Sequence, residues 1–281
     1  MRELGLGPLW RLRSATTDMA TDQAAPHTPP PLPPSAPGLP VIAESQSGRH
    51  GVAARSAQQP PVSPLSAAPQ TVTPAPVDHR AASDARSARI ATLDWPGLQT
   101  EVAACEACAL SQARRQAVLG VGDPQADWLF VGEGPGEEED KRGEPFVGPA
   151  GKLLDAMLKA IGLERGKNVY IANAVKCRPP GNRNPEASEV AACRPFLARQ
   201  IALLQPRLIV ALGRPAVQAL LGHEVKIAAM RGRLHQAYDR PLIVTYHPAY
   251  LLRNLPDKAK AWEDLCFARR TMRELTAPSD S

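Results

Sequence analysis

The sequence of 281 residues contains no long hydrophobic run. No segment approaches the roughly 18–20 consecutive apolar residues that a membrane-spanning helix requires. The first residues, MRELGLGPLWRLRSA, also lack the apolar stretch of a secretory signal peptide. A plain tail is therefore favoured over an organelle-targeting segment at this end. We expect a soluble protein without a membrane partner, located in the cytoplasm.

Residues 1–90 contain almost no aromatic side chains, and they hold 15 of the 30 prolines. Runs such as HTPPPLPPSAPGLP cannot bury enough apolar surface to offset the entropy cost of ordering them. We predict a disordered tail over residues 1–90, partly in the polyproline II conformation, through which the protein can recruit protein partners. A second disordered segment is expected at residues 277–281, which leaves a folded domain over residues 91–276.

The folded part also lacks a strong net charge. Residues 91–281 carry 25 Lys and Arg against 22 Asp and Glu, which is too small an excess to predict nucleic-acid binding. The charges are unevenly distributed, because residues 165–214 hold nine basic and two acidic residues, whereas residues 133–144 hold six acidic and two basic ones. A basic face beside an acidic loop suits an anionic polymer that reaches a carboxylate-lined site. Two solvated surfaces explain the charges equally well.

Short apolar runs alternate with helical patterns along the folded part. Strands are expected at residues 127–133, 168–175, 207–213 and 241–247, and helices at residues 148–162, 184–206, 214–222 and 257–275. In the second of these helices, Asn184 is the expected N-cap and Pro185 the first helical residue. This order predicts an α/β fold, a three-layer αβα sandwich around a central, mainly parallel four-stranded sheet.

Polar side chains stand at the ends of three predicted strands. Glu133, Asn173 and His247 each lie at or just past the last residue of such a strand. Ligands of parallel sheets bind beyond the carboxyl ends of the strands. The three residues therefore predict a single site at that edge of the sheet.

Four of the five cysteines suggest a metal centre. Cys105 and Cys108 form a C-x₂-C pair, whereas Cys177 and Cys193 are widely spaced. Disulfides are disfavoured because nothing indicates secretion. Four thiolates can hold zinc or an iron–sulfur cluster, and the wide second pair fits a cluster somewhat better than a zinc knuckle. We expect a structural centre, and we interpret Cys266 as a small buried hydrophobic residue.

The glycine-rich stretch GEGPGEEEDKRGEPFVGPAGKLL lacks the features of a phosphate-binding loop. Phe146 stands five residues before Gly151, where the Walker pattern requires glycine, and Leu153 follows Lys152, where Ser or Thr is required. Its acidic run would also repel a phosphate. The glycines instead indicate that the backbone closely approaches a ligand, and the acids indicate reaction chemistry or a shape-limited pocket.

Three long motifs, GEGPGEEEDKRGEPFVGPAGKLLD, NAVKCRPPGNRNP and TYHPAYLLR, together with the four cysteines, resemble the family 4 uracil-DNA glycosylases. These are bacterial and archaeal enzymes that carry a [4Fe–4S] cluster. The resemblance spans roughly residues 95–270. It implies that the protein hydrolyses the N-glycosidic bond of deoxyuridine in single- or double-stranded DNA and leaves an abasic site. It also implies a nucleoid-associated monomer whose cluster is bound by Cys105, Cys108, Cys177 and Cys193.

The resemblance assigns roles to individual residues of the pocket. Phe146 matches the aromatic residue that stacks on uracil, and Asn173 matches the asparagine that reads O4 and N3–H, a pattern that cytosine reverses. His247 matches the histidine that donates to uracil O2, where negative charge develops as the base leaves. Backbone N–H groups around Gly134 are expected to share that task.

The water-activating residue is less sharply indicated by the family pattern. The best-studied uracil glycosylases carry an aspartate at the position of Gly134, so that base is absent here. We expect Glu133 or Glu139 to orient the water, and Asn182 matches a further position implicated in activity. One of the carboxylates can instead shape the pocket and exclude the methyl group of thymine.

The resemblance also indicates which residues touch DNA. HPAYLLR matches the loop that enters the minor groove, with Leu251 or Leu252 as the wedge and Arg253 as a phosphate contact. Further phosphate contacts are expected from the basic face, namely Arg178, Arg183 and Arg194. Two other interpretations remain open: an iron–sulfur DNA-binding module with little activity, and a zinc-stabilised nucleotide-binding protein.

Overall fold

Six strands form one mixed sheet in this computed structural model, which describes residues 79–277 and, of these, the side chains from residue 83 onward. The strands are β1 (Val121–Gly122), β2 (Trp128–Gly132), β3 (Val169–Asn173), β4 (Leu208–Leu212), β5 (His235–Ala237) and β6 (Arg240–Thr245). Their spatial order is β1-β3-β2-β4-β6-β5. The inner strands β3, β2, β4 and β6 are parallel, and β1 and β5 pair antiparallel at the edges. The prediction of four strands is therefore wrong, because the short edge strands have no apolar run to mark them.

Ten α-helices connect and cover the strands within residues 79–277. They are α1 (His79–Ala91), α2 (Trp95–Ala103), α3 (Leu110–Ala113), α4 (Glu137–Arg142), α5 (Pro149–Ala160), α6 (Ala187–Leu204), α7 (Arg214–Leu221), α8 (Ile227–Met230), α9 (Pro248–Arg253) and α10 (Lys258–Thr276). Single 3₁₀ turns lie at Pro180–Asn182 and Leu255–Asp257. No helix in this range combines the length and the apolar character needed to cross a bilayer.

Helix α6 begins two residues later than expected, at Ala187 instead of Pro185. Glu186 is the N-cap and has an extended backbone conformation. Its N–H donates to the Glu189 carboxylate at 2.7 Å, and Arg183 donates to the same carboxylate at 2.6 and 2.9 Å. The carboxylate in the first turn therefore sets the start of the helix, in place of Asn184 and Pro185.

Alternate residues of the inner strands face two separate hydrophobic cores. Leu129 and Val131 of β2 pack into a core with residues of α2, α6 and α7. Trp128 and Phe130 of the same strand pack into a second core with residues of α5 and α10. Because both faces are covered by helices, every residue of the inner strand β2 is buried, which explains the continuous apolar run that predicted it.

Helix α1 extends the folded part beyond the predicted boundary at residue 90. The Ile90 side chain is 0% exposed. Arg86 donates to the carbonyl of Ala192 in α6 at 2.9 Å, and its guanidinium lies 4.8 Å from the centre of the Phe196 ring. The helix sequence HRAASDARSARIA has few apolar residues, so composition alone assigns it to the tail. Residues 1–78 and 278–281 lie outside the described residues, and disorder there remains a prediction.

Replacing Ile90 with Ala tests whether α1 belongs to the cooperative fold. Truncating a fully buried isoleucine leaves a cavity, so we expect the free energy of unfolding to fall by about 2–5 kcal/mol in urea denaturation. Leu234, which is exposed, provides the matched control, and Leu234→Ala should change stability by less than about 0.5 kcal/mol. Equal effects of the two variants would contradict the assignment of α1 to the folded domain.

Candidate active site and cysteine centre

A cleft of about 730 Å³ lies beyond the carboxyl ends of the inner strands. The segments that follow β2, β4 and β6 form three of its sides, and the loop before α6 forms another. Of the residues predicted from the sequence, the following line it: Glu133, Gly134, Glu139, Phe146, Asn182, Arg183, His247 and Arg253. The structure thus brings most of the predicted pocket residues to one place.

Two buried polar atoms at this end of the sheet have no hydrogen-bond partner among the described residues. They are Oδ1 of Asn173 and Nε2 of His247. Asn173 is 2% exposed and is not among the residues that line the open cleft. A side chain on Gly132 would overlap the Phe146 ring and lie 2.5 Å from Asn173 Oδ1, so these two groups converge on that glycine. Because a buried unpaired polar atom costs about 1–3 kcal/mol, the pair is suited to a polar ligand.

His247 is held as a neutral donor. Its Nδ1 accepts a hydrogen bond from the N–H of Ala249 at 3.1 Å, so the proton of the neutral ring lies on Nε2. Burial lowers the pKa of His247 to about 4, helped by the charge of Arg253. The ring lies 5.4 Å from that of Phe146. Gly213, whose φ is +86°, lets the backbone after β4 approach His247 closely, because a Cβ atom there would lie 2.9 Å from His247 Cβ.

Glu139 fixes the loop that carries Phe146. Its Oε1 accepts hydrogen bonds from the N–H groups of Val147 and Gly148 at 2.9 and 3.0 Å, and its Oε2 accepts one from Gly136 at 3.0 Å. Three backbone donors therefore occupy this carboxylate. Glu133 differs, since its carboxylate has no hydrogen bond within the described residues. Burial raises the pKa of Glu133, whereas Arg214 and Arg253 lower it.

The backbone of Phe146 is locked in an unusual conformation. Its φ is +56°, a region that few residues other than glycine adopt. Arg165 donates to the carbonyl of Pro145 at 2.9 Å and to that of Phe146 at 2.8 Å. The third residue of α5, Gly151, packs directly against the same carbonyl, and a Cβ atom there would overlap it. Sequence reasoning missed Arg165, which lies in a loop without a motif.

The four predicted cysteines of the metal centre line one small cavity. Cys105 and Cys108 lie between α2 and α3, Cys177 follows β3, and Cys193 lies in α6. Cys266 belongs to α10 and is half-buried, so it is less enclosed than predicted. All five cysteines are free of disulfides.

Hydrogen-bond donors surround the sulfur atoms of this cavity. Arg114 donates to Cys177 Sγ at 2.9 Å, the N–H of Lys176 to Cys193 Sγ at 3.2 Å, and Arg86 to Cys105 Sγ at 3.4 Å. Cationic and backbone donors suit thiolate ligands. Burial raises the pKa of the Cys193 thiol to about 12, so a bound metal would have to displace its proton.

The four thiols of this cavity form a donor set that suits a metal centre. A single zinc ion draws four sulfur atoms to about 2.3 Å from one point. No group of three or more His, Cys, Asp or Glu side chains in residues 79–277 is arranged to hold one metal ion. Four thiols around one cavity are also the donor set of an iron–sulfur cluster.

A family model described as the uracil DNA glycosylase superfamily matches residues 119–266. The type-4 uracil-DNA glycosylase of Sulfurisphaera tokodaii is 47% identical over 176 residues, which are 59% of this chain and 79% of that protein. The chain belongs to the type-4 uracil-DNA glycosylase family. The Thermotoga maritima member is 49% identical over 152 residues, 53% of this chain and 79% of its own length. A type-5 uracil-DNA glycosylase of Thermus thermophilus is 36% identical over 149 residues, 46% of this chain and 68% of its own.

Arg214 is a cleft residue of this type-4 family member that sequence reasoning missed. It is the first residue of α7, directly after β4, and it lines the cleft. Its positive charge acts to lower the pKa of Glu133. Arg214 could have been predicted from the sequence. It lies just past the apolar strand in LIVALGRP, as Glu133, Asn173 and His247 lie at or just past the ends of theirs.

The residues predicted to contact DNA differ in their placement. Leu251 is 1% exposed and packs inside the protein, which does not fit the predicted DNA contact, whereas the alternative Leu252 is 42% exposed. Arg178 donates to Asn182 Oδ1 at 2.7 Å and lies 3.4 Å from the Glu137 carboxylate. Arg253 lines the cleft. Arg194 lies outside the cleft, where it donates to the hydroxyl of Tyr238 at 3.2 Å.

Replacing Gly151 with Ala separates helix propensity from packing. Propensity alone would stabilise α5 by up to about 1 kcal/mol. The overlap with the Phe146 carbonyl predicts the opposite sign, a loss of about 1–3 kcal/mol in urea denaturation. Ala156→Gly, at an exposed position of the same helix, calibrates the propensity term and should cost up to about 1 kcal/mol. A Gly151→Ala protein more stable than the wild type would contradict the packing seen here.

Proposed function

We propose that this protein excises uracil from DNA in base excision repair. It hydrolyses the N-glycosidic bond of deoxyuridine and leaves an abasic site, in agreement with the names of its type-4 relatives. The observation that carries the proposal for this chain is the pair of buried, unpaired atoms Asn173 Oδ1 and His247 Nε2 beside the Phe146 ring. A planar base with polar edges supplies what these groups lack.

Recognition requires the target nucleotide to leave the helical stack. The flipped uracil stacks on Phe146, and its N3–H donates to Asn173 Oδ1. Cytosine carries an acceptor at N3, so it would leave the buried amide oxygen unpaired and face it with a lone pair. Such mismatches of buried polar groups discriminate strongly between ligands.

Departure of the base places negative charge on uracil O2. The Nε2–H of the neutral His247 donates to this oxygen, and its orientation is set in advance by the hydrogen bond at Nδ1. A fixed donor stabilises the developing anion more in the transition state than in the ground state. Backbone N–H groups near Gly134 contribute in the same way, since this residue lines the cleft without a side chain.

Glu133 is the carboxylate that we assign to the attacking water. It lines the cleft, and its carboxylate is not engaged by other described groups. Burial disfavours its charged form, but Arg214, Arg253 and the developing cationic sugar favour it. Glu139 has another task, because its oxygens hold three backbone N–H groups. It positions the loop of Phe146, and Asn182 helps to orient Arg178.

DNA binding is assigned to the rim of the cleft. Leu252 is the exposed wedge that fills the vacated stack, and Arg253 and Arg214 bind phosphates. Arg178 and Arg183 form ion pairs with Glu137 and Glu189, so a phosphate would share or replace these contacts. We propose that a cytoplasmic, nucleoid-associated monomer acts on single- or double-stranded DNA, and that residues 1–78 recruit protein partners.

We assign a [4Fe–4S] cluster to Cys105, Cys108, Cys177 and Cys193. When bound, the cluster crosslinks the segment after α2, the segment after β3 and helix α6. The contacts of Arg86 and Arg114 with the sulfur atoms support the anionic charge of such ligands. The assigned role is structural, because the cavity lies apart from the residues that line the cleft.

Replacing Cys177 with Ser tests the cluster. A serine hydroxyl is a poor ligand for iron in this class of centre, so we expect most of the iron, acid-labile sulfide and visible absorbance to be lost after anaerobic purification. The matched control is Cys266→Ser, which should retain all three. Wild-type protein that carries stoichiometric zinc, or Cys177→Ser protein with full iron content, would contradict the assignment.

Activity is tested on an oligonucleotide that contains one deoxyuridine, with alkaline cleavage of the abasic product. Wild-type, cluster-loaded protein should cut it, and failure to do so would overturn the proposed function. Asn173→Ala should lower the single-turnover rate by about a hundredfold or more, because a buried contact to the base is lost. Affinity for DNA with an abasic site should persist. Gln236→Ala, at an exposed position of β5, is the amide control and should behave as wild type.

A further inference from the structure

Lys176 lies between the cysteine centre and the base-reading end of β3. Its side chain is 1% exposed. The Nζ atom donates to the backbone carbonyl of Asn173 at 2.7 Å and to Oε1 of Gln200 at 2.5 Å. Gln200 is itself fully buried, and its Nε2 donates to the carbonyl of Leu119 at 2.9 Å. The ammonium group is therefore held by a buried polar network at its far end.

The backbone of Lys176 is engaged on the opposite side. Its N–H donates to Cys193 Sγ at 3.2 Å, and its carbonyl accepts from the N–H of Val118 at 2.8 Å. The next residue is Cys177, whose sulfur accepts from Arg114. Lys176 thus contacts Cys193 through its main chain and Asn173, at the end of β3, through its side chain.

Both acceptors of the Lys176 Nζ atom are neutral oxygens. A buried cation without an anionic partner is costly, so it relies on well-placed hydrogen bonds. One of the two acceptors is the carbonyl of Asn173, and the position of this carbonyl is therefore coupled to that of the ammonium group.

We propose that Lys176 is a positioning residue for base recognition. Its ammonium group fixes the main chain at Asn173, so that the unpaired Oδ1 of that residue meets the base. The inference rests on the proposed function, since it assumes that Asn173 reads uracil. It adds a direct route by which the integrity of the cysteine centre affects the pocket.

Three variants test the proposal once wild-type protein has been shown to excise uracil. Lys176→Met keeps the length of the side chain and removes its charge and donors. Lys176→Arg keeps a charged donor. Lys159→Met removes an exposed lysine from α5 and is the matched control. Iron content, the single-turnover rate, affinity for abasic-site DNA and binding of free uracil by equilibrium dialysis are measured for each.

We expect Lys176→Met protein that retains its iron to excise uracil about tenfold more slowly or worse, because Asn173 loses its buried anchor. Uracil binding should weaken by a similar factor, and affinity for abasic-site DNA should change less than about twofold. Lys176→Arg should recover part of both losses, and Lys159→Met should match the wild type.

Two results would overturn the proposal and leave the proposed function intact. One is wild-type excision and uracil binding by Lys176→Met protein. The other is a parallel loss of rate and abasic-site affinity, which would indicate general damage. If Lys176→Met protein does not fold or bind iron, Gln200→Met, which removes one acceptor from Nζ, should still lower uracil binding severalfold at unchanged abasic-site affinity. Wild-type uracil binding by Gln200→Met protein would then refute the role of Lys176.

Discussion

The common end of four parallel strands is the constraint on which the rest of this structure depends. Parallel neighbours point their carboxyl ends to one edge, so the segments after β2, β3, β4 and β6 must share the same space. Each of these segments follows a buried strand residue, which limits the freedom of its first polar side chains. Glu133, Asn173, Arg214 and His247 come from distant parts of the sequence and meet because the sheet has this order.

Rigidity around the pocket arises from side chains that bind its backbone. Glu139 binds three N–H groups, Arg165 binds two carbonyls, and Gly151 lets α5 pack against Phe146. These contacts hold a residue with positive φ in place, a conformation that costs energy unless its surroundings impose it. The ring of Phe146 and the donor of His247 are thus oriented before any ligand arrives, and binding need not order them.

Much of this arrangement could be predicted from the sequence, for identifiable physical reasons. The inner strands are buried on both faces, so β2, β3 and β4 are continuous apolar runs that stand out. The edge strands β1 and β5 have two and three residues and are defined only by pairing, which a sequence does not reveal. Helix α1 lacks an apolar stripe and is recognised only through Ile90 and Arg86 in their packed positions. Leu251 and Leu252 are identical in type, and only the rotation of α9 decides that one is buried and the other exposed.

The cysteine cavity lies apart from the cleft, yet one of the segments that line it leads directly to a pocket residue. The four cysteines come from a segment before β1, a segment after β3 and helix α6, and the second of these segments directly continues the strand that carries Asn173. Hydrophobic packing can hold such segments together, but it is insensitive to shifts along a strand and cannot by itself fix a carbonyl or an amide. Hydrogen bonds can fix such groups. Here the main-chain N–H of Lys176 donates to Cys193 Sγ, and the Nζ atom of the same residue donates to the carbonyl of Asn173. In the role that we propose for Lys176, the position of the Asn173 amide therefore depends on hydrogen bonding at the sulfur atom of Cys193.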